Sequence, residues 1–153
     1  MIYHGIEVGH MVIEKNGISC NCGKKGCFEK YGSMKAFKEN LRKALSFPEY
    51  QTGKMLAELL KNRNLSDELN LKMDKVVDEY IENLSIGLAN LINIFEPEMI
   101  GIGGSFAFFE DILLEKLKNK LLEPNVLFNK RENINIKVAE LANDAGIIGA
   151  TLI

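Results

Sequence analysis

The sequence lacks the features that would assign it to a membrane or to an exported protein. Its 153 residues contain no apolar run near the length of roughly eighteen residues that crosses a bilayer. No basic stretch followed by an apolar one stands at its start, so we expect no secretory signal. Internal repeats and low-complexity tails are missing as well. We therefore expect a cytoplasmic protein with reduced thiols and no membrane partner.

A strong charge bias is also absent. Lys and Arg total 19 and Asp and Glu total 21, which gives a formal net charge of -2. Nonspecific nucleic-acid binding depends on a basic face. The densest group of Lys and Arg, at residues 35–42, is a mixture with other side chains, so we expect no nucleic-acid partner. The hydrophobic content of 46% suffices for one compact domain over residues 1–153.

Cysteine and histidine are scarce, but they are clustered. All three cysteines lie within residues 20–27, and His10, one of two histidines, precedes them. Three thiolates and an imidazole suit the tetrahedral coordination that Zn²⁺ prefers, and four protein ligands would make the zinc structural because no position stays open for water. We therefore predict a zinc loop over residues 10–29. Its ligands would be His10, Cys20, Cys22 and Cys27.

Two other interpretations of the cysteines remain. The first is three separate buried or surface thiols, which the grouping of every cysteine in one short window disfavours. The second is a disulfide. An odd number of cysteines leaves one unpaired, and Cys20 and Cys22 are too close in sequence to pair without strain.

Apolar periodicity predicts mostly helices in the first two thirds of the chain. A short strand over 11–14 leads into the polar loop, and a helix over about 27–45 should end before Pro48. Residues 48–96 form a predicted helical segment. It combines a smaller helical piece over 48–70 with a long helix, whose apolar residues recur every three or four positions from Met73 to Phe95.

In the remaining third of the chain, the residue pattern predicts a strand, a glycine turn and a helix. Residues 99–102 are short and apolar like a buried parallel strand, and the helix after the turn completes a βα unit over residues 99–122. Residues 134–138 alternate as a half-buried strand. Asp144 could cap a last short helix. Alternating strands and helices of this kind predict an α/β domain.

Four motifs, in this order, resemble the ROK family of sugar kinases, repressors and open-reading-frame products. They are Glu7-x-Gly9-His10, Cys20-x-Cys22-Gly23-x-x-Gly26-Cys27-x-Glu29, residues 100–105 and residues 144–150. The resemblance covers nearly the whole chain, but only the carboxyl-terminal part of a typical family member. It implies a carboxyl-terminal lobe of the actin-like ATPase (ribonuclease H-like) fold.

The resemblance implies a carbohydrate site in which Glu7, His10 and Glu29 contact hydroxyls of a hexose or N-acetylhexosamine. Carboxylates accept hydrogen bonds from hydroxyls and can thereby discriminate epimers. One ring nitrogen of His10 would bind the metal while the other faces the sugar. From the motif alone, Glu29 could instead stabilise the first turn of a helix. Ile6 replaces the small residue usual in the family, which could shift the backbone at Glu7.

The resemblance also assigns Gly103, Gly104 and Ser105 to the adenosine side of an ATP site. Glycines let a ligand approach closely, and the following helix offers unpaired N–H groups. Without the family, a tight turn that serves packing alone would be the favoured explanation of these residues. ATP and Mg²⁺ would bind only where an amino-terminal half completes the site.

The catalytic parts that this family needs are not found in the sequence. There is no Asp-x-Gly-x-Thr turn for phosphates, and the one Asn-Asp pair, Asn143-Asp144, belongs to the terminal motif that the resemblance assigns to packing. Phosphoryl transfer depends on a complete set of positioning groups. We therefore expect no catalytic residue in this chain and no activity by itself.

Two functions are compatible with these observations. The chain could be the sugar- and zinc-binding half of an ATP-dependent hexose or N-acetylhexosamine kinase. Alternatively, it could be a noncatalytic sugar-sensing or dimerisation module related to the repressors, or a gene remnant. In either case we expect a protein partner, namely a second copy in a homodimer or an amino-terminal kinase half.

Overall fold

Helices dominate the structure, a computed structural model that describes residues 6–47 and 51–139. Pro48 and the predicted terminal helix with its motif at 144–150 lie outside the described residues. The helices are α1 (Glu29–Gly32), α2 (Met34–Leu45), α3 (Gly53–Asn62), α4 (Asp67–Phe95) and α5 (Glu110–Leu121), with 3₁₀ helices at Val8–His10 and Gly104–Phe109. The strands are β1 (Ile100–Ile102) and β2 (Ile136–Val138). In the described part, no helix is long and apolar enough to span a bilayer.

The long helix α4 confirms the predicted apolar periodicity. It begins earlier than expected because Ser66 caps it, with the Ser66 hydroxyl accepting a hydrogen bond from the Leu69 N–H at 3.4 Å. It ends at Glu96, which adopts the left-handed conformation with φ 46° just before Pro97. Its buried face packs against α1, α2 and α5. The core of the domain is therefore built around α4.

The single helix predicted over about 27–45 is divided in the structure. Ser33 adopts an extended conformation, with φ -77° and ψ 149°, and separates α1 from α2. Its hydroxyl accepts a hydrogen bond from the Ala36 N–H at 3.2 Å, which caps α2. A cap satisfies free N–H groups at a helix start, so this serine stabilises a break that apolar spacing does not reveal.

Aromatic contacts join α2 and α4 to the segment before α5. Phe37 is fully buried and packs edge to face on Phe109, with ring centroids 5.3 Å apart. The Tyr80 ring lies 4.4 Å from Phe37, and its hydroxyl donates to the Gly32 carbonyl at 3.2 Å. These contacts fix α1 and the loop before it relative to the core.

The two described strands pair in parallel, with Ile100 opposite Ile136 and Ile102 opposite Val138. Both are shorter than the ranges predicted from the sequence. The helix predicted after the glycine turn begins as the 3₁₀ helix Gly104–Phe109 and becomes α-helical only at Glu110. A mixed α/β domain with one strand, turn and helix unit is therefore confirmed.

The strand predicted over 11–14 is wrong. Only Val12 forms a bridge in this stretch, and its partner is Cys27. The backbone N–H groups of Ile13 and Glu14 both donate to the Gly26 carbonyl, at 2.9 and 3.3 Å. The chain therefore closes a loop on itself here instead of extending a sheet.

Candidate functional site

The structure brings the four predicted metal ligands together. The ligand atoms of His10, Cys20, Cys22 and Cys27 all lie within 4.8 Å of one another. The His10 Nδ1 atom is 3.5 Å from Cys20 Sγ, and Cys22 Sγ is 3.5 Å from Cys27 Sγ. Cys20 and Cys27 are buried, whereas Cys22 is exposed.

These distances suit a tetrahedral zinc ion. Zinc–sulfur bonds of about 2.3 Å and zinc–nitrogen bonds of about 2.0 Å, at tetrahedral angles, separate two sulfurs by about 3.8 Å and a sulfur from a nitrogen by about 3.5 Å. One sulfur–sulfur pair and one sulfur–nitrogen pair are each 3.5 Å apart, and the remaining pairs lie within 4.8 Å. All four residues provide atoms that bind zinc well. The residues present therefore fit the metal that the motif predicts.

Backbone geometry around Gly26 shapes the loop. Gly26 has a φ of 74°, and a Cβ at this position would lie 1.6 Å from the Glu14 carbonyl oxygen. Its N–H donates to the Ile18 carbonyl at 2.8 Å, and Ser19 pairs with Lys25 across the loop. Only glycine combines that conformation with such a close approach. Gly26 therefore directs the side chain of Cys27 toward the other three predicted ligands.

The thiols of the cluster differ in acidity. Burial raises the pKa of the Cys27 thiol to about 11, and its sulfur neighbours add to this effect. A hydrogen bond from the backbone of Lys24 lowers the pKa of the exposed Cys22 thiol. Metal ions bind thiolates, so binding would have to displace a proton from Cys27, while Cys22 ionises more readily.

The structure places Glu29 against the turn that joins Glu7 and His10, the other two predicted sugar-binding residues. The 3₁₀ turn Val8–His10 begins directly after Glu7, whose carbonyl accepts a hydrogen bond from the His10 N–H at 3.1 Å. A Cβ at Gly9 would lie 3.5 Å from the Glu29 Cβ, so the first residue of α1 lies against this turn. Both Glu7 and Glu29 are exposed, which leaves their carboxylates accessible to a ligand.

The predicted nucleotide turn lies at the carboxyl end of β1. Gly103 is extended, whereas Gly104 has a φ of 68°, a value that favours glycine. A Cβ at Gly103 would meet only Ala139, at 3.9 Å, so packing within the described residues does not require a glycine there. The Ser105 hydroxyl is 3.4 Å from the ammonium of Lys38 on α2. Ligands in α/β folds bind beyond the carboxyl ends of strands.

Sequence comparison decides the family. Residues 3–153 match the ROK family, which is nearly the whole chain. The chain belongs to the ROK family. This confirms the resemblance inferred from the four motifs.

Curated relatives include both kinases and repressors. The ROK chain is 32% identical over 162 aligned positions to the glucokinase of Thermotoga maritima, which covers 97% of the chain and 49% of that glucokinase. It is 30% identical over 148 positions to the xylose repressor of Caldicellulosiruptor bescii, covering 94% of the chain and 37% of the repressor. The ROK chain thus spans half or less of these relatives.

A solved structure supports the same fold. The putative N-acetylmannosamine kinase of Listeria monocytogenes is 26% identical, with a TM-score of 0.69. The match covers 95% of the ROK chain and 46% of that kinase. The mixed α/β domain described here is therefore shared with ROK sugar kinases.

Two contacts that hold the site were not predicted from the sequence. The Tyr31 hydroxyl accepts a hydrogen bond from the Ile18 N–H at 2.7 Å and so ties α1 to the cysteine loop. Lys38 contacts Ser105 across 67 positions of sequence. Nothing in the local pattern distinguishes this tyrosine or this lysine from neighbouring surface residues, so neither contact could have been found without the fold.

Proposed function

We propose that this ROK chain is the carboxyl-terminal, sugar- and zinc-binding half of an ATP-dependent hexose or N-acetylhexosamine kinase. The observation that carries the proposal is the grouping of His10 with three cysteine sulfurs directly beside Glu29. The kinase relatives and the shared fold support a sugar as the ligand. The expected location in the cytoplasm belongs to this proposal.

In this proposal, the loop uses His10 in two ways. Its Nδ1 atom faces the Cys20 sulfur, which leaves Nε2 on the opposite side of the ring. A bound zinc ion would fix the ring orientation and leave the proton on Nε2. The imidazole would then donate a hydrogen bond from Nε2 to a sugar hydroxyl, while the carboxylates of Glu7 and Glu29 accept hydrogen bonds from other hydroxyls.

We propose that the turn Gly103–Ser105 contributes the adenosine side of an ATP site. Packing among the described residues does not require a glycine at position 103, and this position at the end of β1 supports the role. ATP and Mg²⁺ need further groups that these 153 residues do not contain, since the sequence has no Asp-x-Gly-x-Thr turn. The chain by itself should therefore bind ligands weakly and transfer no phosphate.

A noncatalytic sugar sensor is the second candidate. The observation that favours it is the 30% identity to a xylose repressor, which is close to the identity with the glucokinase. The same residues would then bind the sugar without any transfer step. The proposed sensor would act through its sugar and protein contacts.

An apolar surface near the start of the described chain supports a protein partner. Ile6 is 77% exposed, Phe95 is 58% exposed and Met99 is 52% exposed, and all three line one groove. Large apolar patches are seldom left open on monomeric proteins. We propose that an amino-terminal kinase half or a second copy of the chain covers this groove.

Titration of the ¹⁵N-labelled protein with glucose, mannose, N-acetylglucosamine and N-acetylmannosamine tests the sugar site. We expect millimolar binding that shifts amides around His10 and Glu29. Glu29→Gln should weaken it, whereas Glu14→Gln, an exposed carboxylate in the same loop, should not. No shift with any of the four sugars would contradict the kinase-half proposal.

A second experiment separates the two candidates. An Asp-x-Gly-x-Thr segment in the DNA before the Met1 codon, in frame or after a frameshift, would favour a kinase divided between two chains. Coexpression with that segment should restore sugar-dependent ATP consumption. Sugar binding without any such activity would favour the sensor.

A further inference from the structure

A lysine from a different part of the chain lies at the proposed nucleotide turn. Lys38 is on α2, and its ammonium is 3.4 Å from the hydroxyl of Ser105. Ser105 directly follows the two glycines at the end of β1. The fold therefore adds a positive charge to a turn whose own residues are all uncharged.

The stem of Lys38 is held in place by its surroundings. A Cβ at Gly53, the first residue of α3, would lie 3.3 Å from the Lys38 Cδ atom and 3.6 Å from a ring carbon of Phe108. Lys38 is half-buried, and Phe108 is 43% exposed beside it. Packing of the methylene stem on these neighbours restricts where the ammonium can go.

The ammonium has capacity to bind a ligand. Lysine carries three donors. Within residues 6–47 and 51–139, Ser105 is the one acceptor found for Lys38, and no carboxylate lies within 4.0 Å of it. Other lysines in the same range, such as Lys35 and Lys43, also lack a carboxylate within 4.0 Å, so Lys38 is distinguished by its position beside the turn. A cation without a paired carboxylate beside the glycine turn favours an anionic ligand.

We propose that Lys38 recognises the phosphate groups of a nucleoside diphosphate or triphosphate at Gly103–Ser105. This inference rests on the proposed nucleotide site and adds a residue that the motif does not contain. The glycine turn would accommodate the nucleoside, and Lys38 would donate charged hydrogen bonds to phosphate oxygens. Lys38 is thus a binding residue that selects phosphorylated nucleosides, and it takes no part in bond making.

Titrations of the 153-residue protein with ADP and with adenosine test the proposal, followed through the amides of Gly103 and Gly104. We expect ADP to bind more tightly than adenosine, and Lys38→Gln to weaken ADP binding about fivefold or more while adenosine binding stays within about twofold. Lys38→Arg should keep the preference for ADP. Lys35→Gln is the matched control, because it removes one charge from an exposed position on the same helix.

The outcomes separate the inference from the proposed site. If adenosine and ADP both bind the natural protein and Lys38→Gln retains the preference for ADP, the role of Lys38 is wrong and the nucleotide site remains. Equal binding of ADP and adenosine by the natural protein would also overturn the proposed role of Lys38. If neither compound perturbs residues 103–105 even at millimolar concentration, the weak nucleotide site proposed for these 153 residues is wrong, and the inference falls with it.

Discussion

The ring of Phe28 occupies the space that a side chain at Gly87 would need. A Cβ at Gly87 would lie 2.2 Å from the Phe28 Cε2 atom. Gly32 on α1 approaches the same ring, with its hypothetical Cβ also 2.2 Å from Cε2. Phe28 directly follows the proposed metal ligand Cys27, and Gly87 lies in the buried face of α4. The cysteine loop is thus fixed to the core by one ring packed between two glycines.

Substitution of Gly87 by alanine should therefore destabilise the protein. Overpacking costs about 1–3 kcal/mol, and the better helix propensity of alanine returns at most about 1 kcal/mol. We expect a net loss of about 0.5–2 kcal/mol in the free energy of unfolding, measured by urea denaturation. Combining Gly87→Ala with Phe28→Leu should recover part of the loss. Gly87→Ala that is as stable as the natural protein would contradict the contact.

The purified protein should carry one equivalent of zinc. Cys22→Ser should lose the zinc because it removes one of the four ligands. Since Cys22 is exposed, its replacement leaves no cavity in the core. Asn21→Ser, in the same loop, is the control and should retain the metal. Metal analysis by mass spectrometry measures both. Less than half an equivalent in protein prepared without chelator would refute the zinc prediction, and metal retained by Cys22→Ser would indicate a different ligand set.

The 153-residue protein should show no sugar-dependent ATP consumption. The absence of a general base alone lowers the rate of transfer by about 10²- to 10⁴-fold. The missing phosphate-binding turn removes electrostatic stabilisation as well. A coupled-enzyme assay with the four sugars measures the rate. Turnover that disappears in Glu29→Ala would show that the chain is a complete kinase.

The protein should form at least a dimer at tens of micromolar concentration. The exposed Phe95 at the end of α4 lines the apolar groove that needs a partner, and we expect twofold symmetry. Phe95→Ser should shift the protein toward monomer in sedimentation velocity. Leu71→Ser is the control, since Leu71 is 70% exposed at the other end of the same helix. A natural protein that sediments as a monomer would count against this surface.

A paired carboxylate should give a small, pH-dependent contribution to stability. The Arg63 guanidinium binds both oxygens of Asp74 at 2.8 Å and lowers the pKa of this carboxyl. A lowered pKa in the folded state stabilises the protein above the ordinary value of about 3.9, and this contribution is lost as the pH falls through the folded pKa.

Asp74→Asn should therefore destabilise the protein at pH 7 by less than about 1 kcal/mol, because both side chains are partly exposed. The difference from the natural protein should vanish at low pH. Thermal unfolding from neutral pH down to the acid range measures it. Glu58→Gln is the control, because Glu58 is exposed one turn before the end of α3, and its stability difference from the natural protein should not change with pH. A difference that grows on acidification would contradict the assigned pair.

The sequence by itself determined the features that depend on local spacing. The repeat of apolar residues every three or four positions predicted α4, because one face of a helix must be buried. The spacing of His10 and the cysteines predicted the ligand cluster, because residues close together on a short, glycine-containing loop also lie close together in space. The order of the motifs was enough to identify the family.

Only the tertiary structure decided which distant residues meet. The packing of Phe28 on Gly87 and the contact of Lys38 with Ser105 join residues far apart in sequence. The expected strand at 11–14 failed for a related reason. The N–H groups of Ile13 and Glu14 donate to the Gly26 carbonyl instead of to a neighbouring strand. The alternation of apolar residues does not specify which acceptor a backbone N–H group will bind. Local patterns specify which face of an element is buried, whereas the fold selects what lies against it.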